Sequence, residues 1–488
     1  MAGDEIIGRT LELRTLERIR SSKDPELLAV YGRRRVGKTH LIRNFFEQQE
    51  IYFEVTGQKD ATMAEQLRNF ADAFSERFLR RHRIETPGNW NDALKLLGQE
   101  IDAQNASSGK VVIFFDELPW LASRRSGFLQ TLDYFWNTWA SRRKNIVVIV
   151  CGSAASWMIN RLVHARGGMH NRITDRIRLL PFSLSETASY LASRRVHLDQ
   201  KQILELYMAT GGVPHYLRQV QRGESAAQAI DRICFTKDGA LSDEFNQLYA
   251  SLFDNSDQYL AVVRALARKR AGLTRTELLD ETGLPSGGST SKVLEALLES
   301  GFIASYVPLG KRTRDAVYRL ADEYSLFYLT WIEPAPRSVL SSAQGGYWIQ
   351  CHRGRSWPAW AGFTFEGICQ KHAPEIKRAL GISGIQTAET GWFHRSRGGS
   401  DPGAQIDLLI DRSDGCVNLC KVKFADTKFA ITKRYAESLR NKIEVFRGQT
   451  ATRKTVFLTL ITTRGVQKNR HCEELVDSQV TLENLFGR

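Results

Sequence analysis

Residues 32–39 read GRRRVGKT and match the pattern GxxxxGK[ST] at every fixed position. They follow the apolar run LLAVY at residues 27–31 and precede LIRNFFEQ at residues 41–48, whose apolar residues have helical spacing. A buried strand, a glycine-rich loop and a helix in this order form a P-loop, in which backbone N–H groups surround phosphates. We therefore expect Lys38 to neutralise the β- and γ-phosphates of ATP and the Thr39 hydroxyl to ligate Mg²⁺.

A second apolar run, VVIFF at residues 111–115, ends at Asp116 and Glu117. A buried strand that ends in two acidic residues is typical of a Walker B motif when a P-loop precedes it. We expect Asp116 to hold Mg²⁺ through water and Glu117 to orient and deprotonate the hydrolytic water.

A third apolar run, residues 146–150, leads to Ser153. We predict that Ser153 senses the γ-phosphate, although asparagine is the more usual residue at such a strand tip. The basic segment that follows offers Arg172 and Arg176 as an arginine finger for a neighbouring subunit. A solvated or DNA-facing arginine is the alternative interpretation.

Length and composition bound the remaining possibilities. A chain of 488 residues is longer than one hydrophobic core usually fills, so several domains are expected. No apolar run is long enough for a transmembrane span, and the N-terminus lacks a basic, apolar secretory signal. Seven cysteines without a CxxC pair indicate neither a disulfide framework nor a zinc site. These features predict a cytoplasmic protein without a membrane partner.

The formal net charge is +14, and two segments carry most of the excess. Residues 124–178 have eight more basic than acidic residues, and residues 421–454 have seven more. Localised basic surface favours a polyanion such as nucleic acid as the partner. The alternative is an ordinary basic protein whose arginines also serve ATP and subunit contacts.

The middle of the chain predicts amphipathic helices at residues 180–245, followed by a different pattern. Three helices, the last beginning near STSKVLEALLESGF, precede two short alternating runs at residues 303–308 and 316–320. Three helices plus a two-stranded wing form a winged helix, a fold that reads DNA or contacts other proteins. In the DNA interpretation, the groups facing the nucleic acid are Ser289, Thr290, Ser291 and Lys292 and the wing residues Lys311, Arg312, Thr313 and Arg314.

Five motifs together resemble the archaeal-type ATPases of the AAA+/STAND assemblage: IIGR at residues 6–9, GRRRVGKT, FFDELPWL, CGSAASWM and GGVPHYL. The resemblance implies that the box containing Gly8 packs near the adenine, and that the element ending at Pro214 closes over the nucleotide from a helical lid. With these additions, the predicted nucleotide contacts are Gly8, Gly32, Arg33, Arg34, Arg35, Val36, Gly37, Lys38, Thr39 and Pro214.

In the C-terminal part, Glu366, Asp407 and the triplet Lys421-Val422-Lys423 follow one another in that order. This order resembles the PD-(D/E)XK nuclease-like domain that ends this ATPase group. The resemblance implies that Glu366, Asp407 and the acid of the triplet collect divalent ions, while the triplet lysine, Lys423, assists the water. Here Lys421 stands where the resemblance puts glutamate. A cation beside Asp407 repels Mg²⁺, so we expect a domain that keeps its fold and basic face but cuts poorly or not at all.

Two alternatives to an impaired nuclease stay open at this point. Cys420 or Asp426 supplies the missing ligand, or the lysine is an introduced inactivating change. The helix predicted at residues 431–446 presents Lys433, Arg434, Arg440 and Lys442, either to solvent or to a DNA backbone.

The sequence thus predicts an α/β protein with an AAA+/STAND-like P-loop NTPase core, a helical lid, a winged-helix domain and a C-terminal α/β restriction-endonuclease-like domain. The predicted boundaries are 1–180, 181–250, 251–335 and 336–488. The predicted function is an ATPase that couples nucleotide state to nucleic-acid binding, with ATP and Mg²⁺ as cofactors and DNA as the partner. The alternatives are a STAND-type switch acting on a protein and an active ATP-regulated DNA nuclease. A homo-oligomer is left open.

Overall fold

The computed structural model describes residues 5–49, 51–104, 109–123, 125–163, 171–253, 255–394, 396 and 403–487. The chain divides into two compact units. The first comprises Met1–Pro181, Ser251–Asp254 and Glu299–Gly301, and the second comprises Phe182–Ala250, Asn255–Leu298 and Phe302–Arg488. The predicted division into ATPase core, lid, winged-helix and C-terminal domains stays a prediction.

The first unit alternates strands and helices. Its described helices are α1 (Thr10–Ser21), α2 (Lys38–Phe46), α3 (Met63–Phe78), α4 (Trp90–Ala103), α5 (Leu118–Leu121), α6 (Phe128–Thr138) and α7 (Ala155–Met158). Its described strands are β1 (Glu26–Tyr31), β2 (Ile51–Thr56), β3 (Val111–Asp116), β4 (Ile146–Gly152) and β5 (Asp175–Arg178). They form one parallel sheet in the order β2-β3-β4-β1-β5. The three strands predicted from apolar runs are confirmed as β1, β3 and β4.

This sheet is covered on both faces, which explains why its strands read as continuous apolar runs. Side chains of β1 alternate between two cores. Leu27 and Ala29 pack with residues of α3, α4 and α6, and Leu28 and Val30 pack with residues of α1 and α2. In an open parallel sheet, ligand sites lie beyond the carboxyl ends of the strands. The P-loop follows β1 at that edge, and Asp116 and Glu117 lie there at the end of β3.

The second unit is mostly helical. Wholly or for most of their length it contains α8 (Leu184–Ser193), α9 (Gln200–Thr210), α10 (Pro214–Leu217), α11 (Ala226–Cys234), α12 (Glu244–Leu252), α13 (Ser256–Arg268), α14 (Arg275–Thr282), α15 (Gly288–Glu299), α16 (Glu323–Phe327), α17 (Arg337–Leu340), α18 (Tyr347–His352), α19 (Ser356–Lys371), α20 (Ala373–Ala379), α21 (Lys433–Thr450), α22 (Arg470–Leu475) and α23 (Leu482–Leu485). No described helix combines the length and the apolar composition that a membrane crossing requires.

Two sheets belong to the second unit. The strands of the small antiparallel sheet, in the order β6-β8-β7, are β6 (Leu273–Thr274), β7 (Ile303–Tyr306) and β8 (Val317–Leu320). The strands of the larger sheet are β9 (Thr387–His394), β10 (Ala404–Arg412), β11 (Cys416–Lys423), β12 (Thr455–Thr462) and β13 (Ser478–Thr481). Strands β9 to β11 pair antiparallel, whereas β11 to β13 pair parallel, with α21 crossing from β11 to β12.

The three helices α13 to α15 and the hairpin of β7 and β8 occur in the predicted order, but their assignment as a DNA-reading winged helix stays a prediction. One residue was wrongly placed on the DNA-facing surface. Thr290 is buried at 5% exposure, and its hydroxyl donates a hydrogen bond to the Pro285 carbonyl at 2.7 Å. Ser289, Ser291 and Lys292 are exposed. Thr290 points inward because it lies on the face of α15 that also buries Val293, Leu294 and Leu297.

His372, directly after α19, makes the stability of the second unit depend on pH. Its Nε2 accepts the Leu184 N–H at 3.0 Å and its Nδ1 donates to the Ile368 carbonyl at 2.8 Å. The contact at Nε2 needs the neutral ring, because a protonated Nε2 cannot accept a hydrogen bond. Burial lowers the pKa of His372 from its ordinary value of 6.5 to about 4. Below the ordinary value, the unfolded chain binds a proton that the folded chain does not, so stability is lost as the pH falls.

We expect this histidine alone to cost about 3 kcal/mol of unfolding free energy between neutral pH and a pH of about 4. Denaturant unfolding of the chain and of His372→Gln at both pH values measures the difference. His197→Gln, which alters an exposed histidine, is the matched control. An equal pH dependence in all three proteins would contradict the prediction.

Candidate nucleotide site and a second charged site

The loop between β1 and α2 has the backbone conformation that a phosphate-binding loop needs. Gly32 has φ 151° and Gly37 has φ 93°, values that L side chains rarely adopt. A Cβ on Gly32 would lie 2.2 Å from the carbonyl oxygen of Leu179, so only glycine fits there. Arg33 and Val36 are buried in this loop, whereas Arg34 is exposed and Arg35 partly exposed.

Lys38 is held inside the loop at 6% exposure. Its Nζ donates to the carbonyl oxygens of Gly32 at 3.0 Å and Arg33 at 3.1 Å, and to the Ser153 Oγ at 3.0 Å. None of these three acceptors is an acid. The ammonium therefore keeps its charge available for an anionic ligand, as the predicted phosphate contact requires.

The tips of β3 and β4 bring the remaining predicted residues together. Thr39 Oγ1 donates to Asp116 Oδ2 at 2.7 Å, and Asp116 Oδ1 accepts the Glu117 N–H at 2.9 Å. The Ser153 hydroxyl donates to Glu117 Oε1 at 2.6 Å, and the Ser153 N–H donates to Oε2 at 3.2 Å. A hydroxyl beside a carboxylate fits a hydrated Mg²⁺ ion. A role for Glu117 in activating water stays a prediction.

Arg9 is a residue of this site that the sequence interpretation missed. Its guanidinium donates to the Val36 carbonyl in the P-loop at 3.0 Å and to the Leu180 carbonyl after β5 at 2.7 Å. Gly8 and Arg9 both have positive φ, 68° and 59°, which turns the chain so that the arginine reaches both segments. The motif at residues 6–9 drew attention to Gly8, and its arginine was the available signal. Arg9 thus holds the P-loop and the segment after β5 together through hydrogen bonds to their backbone carbonyls.

Two other predicted residues lie away from these contacts. The Arg172 Nε donates to the Asn137 side chain at 2.6 Å, and its Nη1 lies 2.8 Å from Asp133 Oδ1, so the arginine is paired within its own chain. Pro214 belongs to the second unit and begins α10. A finger role for Arg172 and a nucleotide contact for Pro214 stay predictions. Arg124 and Arg166, part of the basic segment 124–178, lie outside the described residues.

A second charged site lies in the second unit, where α19, β10 and β11 meet. Asp407 is buried at 4% exposure, its Oδ1 is 2.6 Å from the Lys421 Nζ, and its Oδ2 accepts the Val422 N–H at 2.9 Å. Burial and then the charge of Asp407 raise the pKa of Glu366 to about 7. The predicted pairing of Lys421 with Asp407 is therefore present in the structure.

These residues do not fit a divalent metal ion. Lys421 occupies one oxygen of Asp407 and a backbone N–H occupies the other. Across the described ranges, no group of three or more His, Cys, Asp or Glu side chains is placed to hold a metal. Burial raises the pKa of the Cys420 thiol to about 12, and Asp426 pairs with Lys201. Neither alternative ligand considered from the sequence completes the set.

Lys423, the lysine of the triplet, lies near the same charges but faces aromatic rings. Its Nζ lies 5.0 Å from the centre of the Tyr435 ring and 5.8 Å from that of Phe429. Burial, and then repulsion from Lys421, lower the pKa of Lys423. A role for Lys423 in activating water stays a prediction.

Comparison with known proteins identifies the first part of the chain. Residues 6–220 match the model of an ATPase domain found predominantly in Archaea, so this part of the chain is similar to that domain. An uncharacterised protein of Methanocaldococcus jannaschii is 22% identical over 439 residues, which cover 89% of this chain and 91% of that protein. The prediction of an ATPase core is confirmed at this level.

Solved structures show the fold. A Walker-type ATPase of Pyrococcus abyssi superposes with a TM-score of 0.51 at 18% identity, covering 66% of this chain and 96% of its own. The ORC2 protein of Aeropyrum pernix, solved in ADPNP–ADP complexes, gives a TM-score of 0.43 at 15% identity, with 68% and 94% coverage. The similarity to the Pyrococcus protein covers a larger share of this chain than the ATPase family model does. It concerns the fold alone.

Proposed function

We propose that the archaeal-type ATPase domain of this chain hydrolyses Mg²⁺-ATP and that its nucleotide state controls nucleic-acid binding by the second unit. The observation that carries the enzymatic part is the chain of contacts from Lys38 through Ser153 to Glu117. It links the cation for the phosphates to the carboxylate for the water through one hydroxyl, at the carboxyl edge of a parallel sheet.

The residues have separate roles in this proposal. Lys38 neutralises the phosphates, and Thr39 and Asp116 hold the magnesium ion, which when bound stabilises negative charge on the phosphoryl oxygens. Glu117 orients the attacking water and takes its proton. Ser153 holds the Glu117 carboxylate until a γ-phosphate offers its hydroxyl a better acceptor, which makes the serine a sensor of ATP.

The nucleic-acid part rests on charge and exposure in the second unit. Lys292 is exposed on α15, and the connection between β7 and β8 exposes Lys311, Arg312 and Arg314. The net charge of +14 and the basic segment at residues 421–454 favour a polyanion over a neutral protein surface. An active nuclease is disfavoured because Lys421 occupies Asp407.

The test is the steady-state rate of ATP hydrolysis with and without duplex DNA. We expect DNA to raise the rate severalfold at low salt, and the effect to weaken as the salt concentration rises. Lys292→Gln reduces the stimulation without changing the basal rate, whereas Lys237→Gln, at an exposed position of the second unit outside the basic segments, leaves both unchanged. Turnover that no nucleic acid alters would contradict the coupling and favour a switch that acts on a protein.

A further inference from the structure

A cavity of about 760 Å³ lies within the second unit, where the β6-β8-β7 sheet meets the larger sheet and α19. Its wall includes Arg319 of β8, Glu366 of α19, Asp407 of β10 and Lys442 of α21. The second charged site described above therefore borders a partly open cavity. The function proposed so far assigns no ligand to this space.

None of the four cations of the cavity wall forms an ion pair among the described residues. These cations are Arg270, Lys311, Arg319 and Lys442. Lys442 donates to the Gln405 carbonyl at 3.1 Å, and the guanidinium of Arg319 lies 5.8 Å from the centre of the Tyr306 ring. Glu366 is near Arg319 and Lys442 but makes no direct ion pair with either.

The acids of the wall are mostly engaged elsewhere. Asp407 is bound by Lys421 and by a backbone N–H. Glu277 caps α14, where it accepts from the Thr274 N–H at 2.8 Å and from its hydroxyl at 2.9 Å. Glu366 is the one wall carboxylate of the described residues to which the structure gives neither an ion pair nor a cap. The cavity therefore has a positive balance that suits an anion.

Aromatic side chains beside these cations indicate which kind of anion fits. Phe393 lines the cavity with 40% of its surface exposed, and Phe363 lines it beneath the guanidinium of Arg270, at 5.5 Å from the ring centre. Proteins bind single-stranded nucleic acids with basic groups along the phosphate backbone and aromatic rings on which the bases stack. An inorganic anion or an acidic peptide would make no use of the exposed ring.

The cavity is too small to enclose a duplex. A sphere of 760 Å³ is about 11 Å across, less than the width of about 12 Å of the major groove of B-DNA alone. Pockets of this volume enclose ligands of the size of about one or two nucleotides.

We propose that this cavity binds about one or two nucleotides of a single-stranded nucleic acid without a divalent cation, with phosphate charge met by Arg319 and Lys442 and a base stacked on Phe393. Lys421 makes this possible because it neutralises Asp407, which would otherwise repel the phosphate. The inference rests on the proposed function only in taking nucleic acid as the partner.

The test is binding of a fluorescent oligothymidine of about ten nucleotides to the full chain in EDTA, without ATP, followed by anisotropy. We expect Lys442→Gln to weaken binding about tenfold and to lower the salt slope by about 0.7, the value for one phosphate contact on a single strand. Phe393→Ala is expected to weaken binding at least about fivefold through lost stacking.

Lys237→Gln is the matched control, since it removes the same charge from an exposed position of the second unit outside the cavity and both basic segments. We expect less than about a twofold effect, because a single exposed cation away from the bound strand contributes little. Equal losses in Lys237→Gln and Lys442→Gln would overturn the proposal, as would binding that needs Mg²⁺ or equal competition by polyglutamate. Thermal unfolding of each variant shows whether a loss of oligothymidine binding reflects misfolding. If Phe393→Ala does not fold, Phe393→Leu is measured in its place.

The outcome separates this proposal from the proposed function. In one outcome, duplex DNA fails to stimulate ATP hydrolysis while the cavity variants still bind oligothymidine more weakly than the unchanged chain. In that case the control of nucleic-acid binding by nucleotide state is wrong and the cavity proposal is supported. If the cavity variants bind oligothymidine normally while DNA stimulation persists, the cavity proposal is wrong and the coupling stands.

Discussion

Lys38→Ala is expected to abolish measurable ATP hydrolysis and to weaken ATP binding by about a hundredfold. The side chain is buried with three neutral acceptors around its ammonium group, so its positive charge is not consumed by any acid of the protein. Removing a unit charge a few ångströms from a phosphate costs roughly 3 kcal/mol at a partly buried site, which corresponds to that factor. Equilibrium binding of a fluorescent ATP analogue measures the affinity, and phosphate release measures the turnover.

Lys110→Ala is a closely matched control. Lys110 is also a buried lysine of the first unit, at 8% exposure, and its Nζ donates to the backbone carbonyls of Asp24 and Lys144. It precedes β3, at the end opposite the P-loop, so its loss is expected to lower thermal stability without changing ATP affinity. Comparable losses of affinity in both variants would show that Lys38 acts through folding rather than through the phosphates.

Lys421→Glu is expected to create a divalent-cation site that this chain lacks. The substitution removes the ammonium that holds Asp407 Oδ1 at 2.6 Å and adds a third carboxylate beside Asp407 and Glu366. Replacing a positive by a negative unit charge next to a dication favours binding by several kcal/mol at intermediate dielectric, so we expect Mn²⁺ affinity to rise at least about a hundredfold. Isothermal titration with Mn²⁺ in the absence of nucleotide measures the change.

Two further variants separate the causes. Lys421→Gln removes the positive charge without adding a ligand and is expected to give a much smaller gain. Adding Asp407→Asn to Lys421→Glu should abolish the new site, because a ligand is lost while the introduced carboxylate remains. Tight Mn²⁺ binding by the unchanged chain that Asp407→Asn removes would mean that Lys421 does not block the site.

The parts of the fold that the sequence predicts well are those with strong local patterns. The strands β1, β3 and β4 carry apolar runs because both faces of their sheet are covered. The P-loop follows β1, two acidic residues stand at the end of β3 and Ser153 follows β4, and each of these predicts a role in binding or hydrolysing ATP. The P-loop glycines are required by a backbone with positive φ and by the carbonyl next to Gly32. Lys38, Thr39, Asp116, Glu117 and Ser153 could therefore be grouped before any coordinates were available.

Other features depend on contacts between distant segments. Arg9 belongs to the motif at residues 6–9, but its contact with the P-loop depends on positive φ at two consecutive residues, which the motif does not reveal. Arg172 is paired by Asp133 of α6, and no sequence pattern indicates that contact. The prediction placed Thr290 on the DNA-facing surface because polar residues lie on several sides of α15. The sequence alone therefore does not show which side of that helix is buried. The cavity assembles Arg319, Phe393 and Lys442 from three elements, so its charge balance emerges only from the tertiary structure.

Binding of duplex DNA to Glu117→Gln in the presence of ATP or ADP tests the coupling most directly. This variant keeps Lys38, Thr39 and Asp116 and is expected to hold ATP without hydrolysing it, so each nucleotide state can be measured at equilibrium. If nucleotide state controls nucleic-acid binding, the affinity for DNA must differ between the ATP-bound and ADP-bound states. Because binding at two sites is coupled reciprocally, DNA must then change the ratio of the ATP and ADP affinities by the same factor. We predict at least about a fivefold difference between ATP and ADP at low salt. Equal affinities in both states would contradict nucleotide control of nucleic-acid binding.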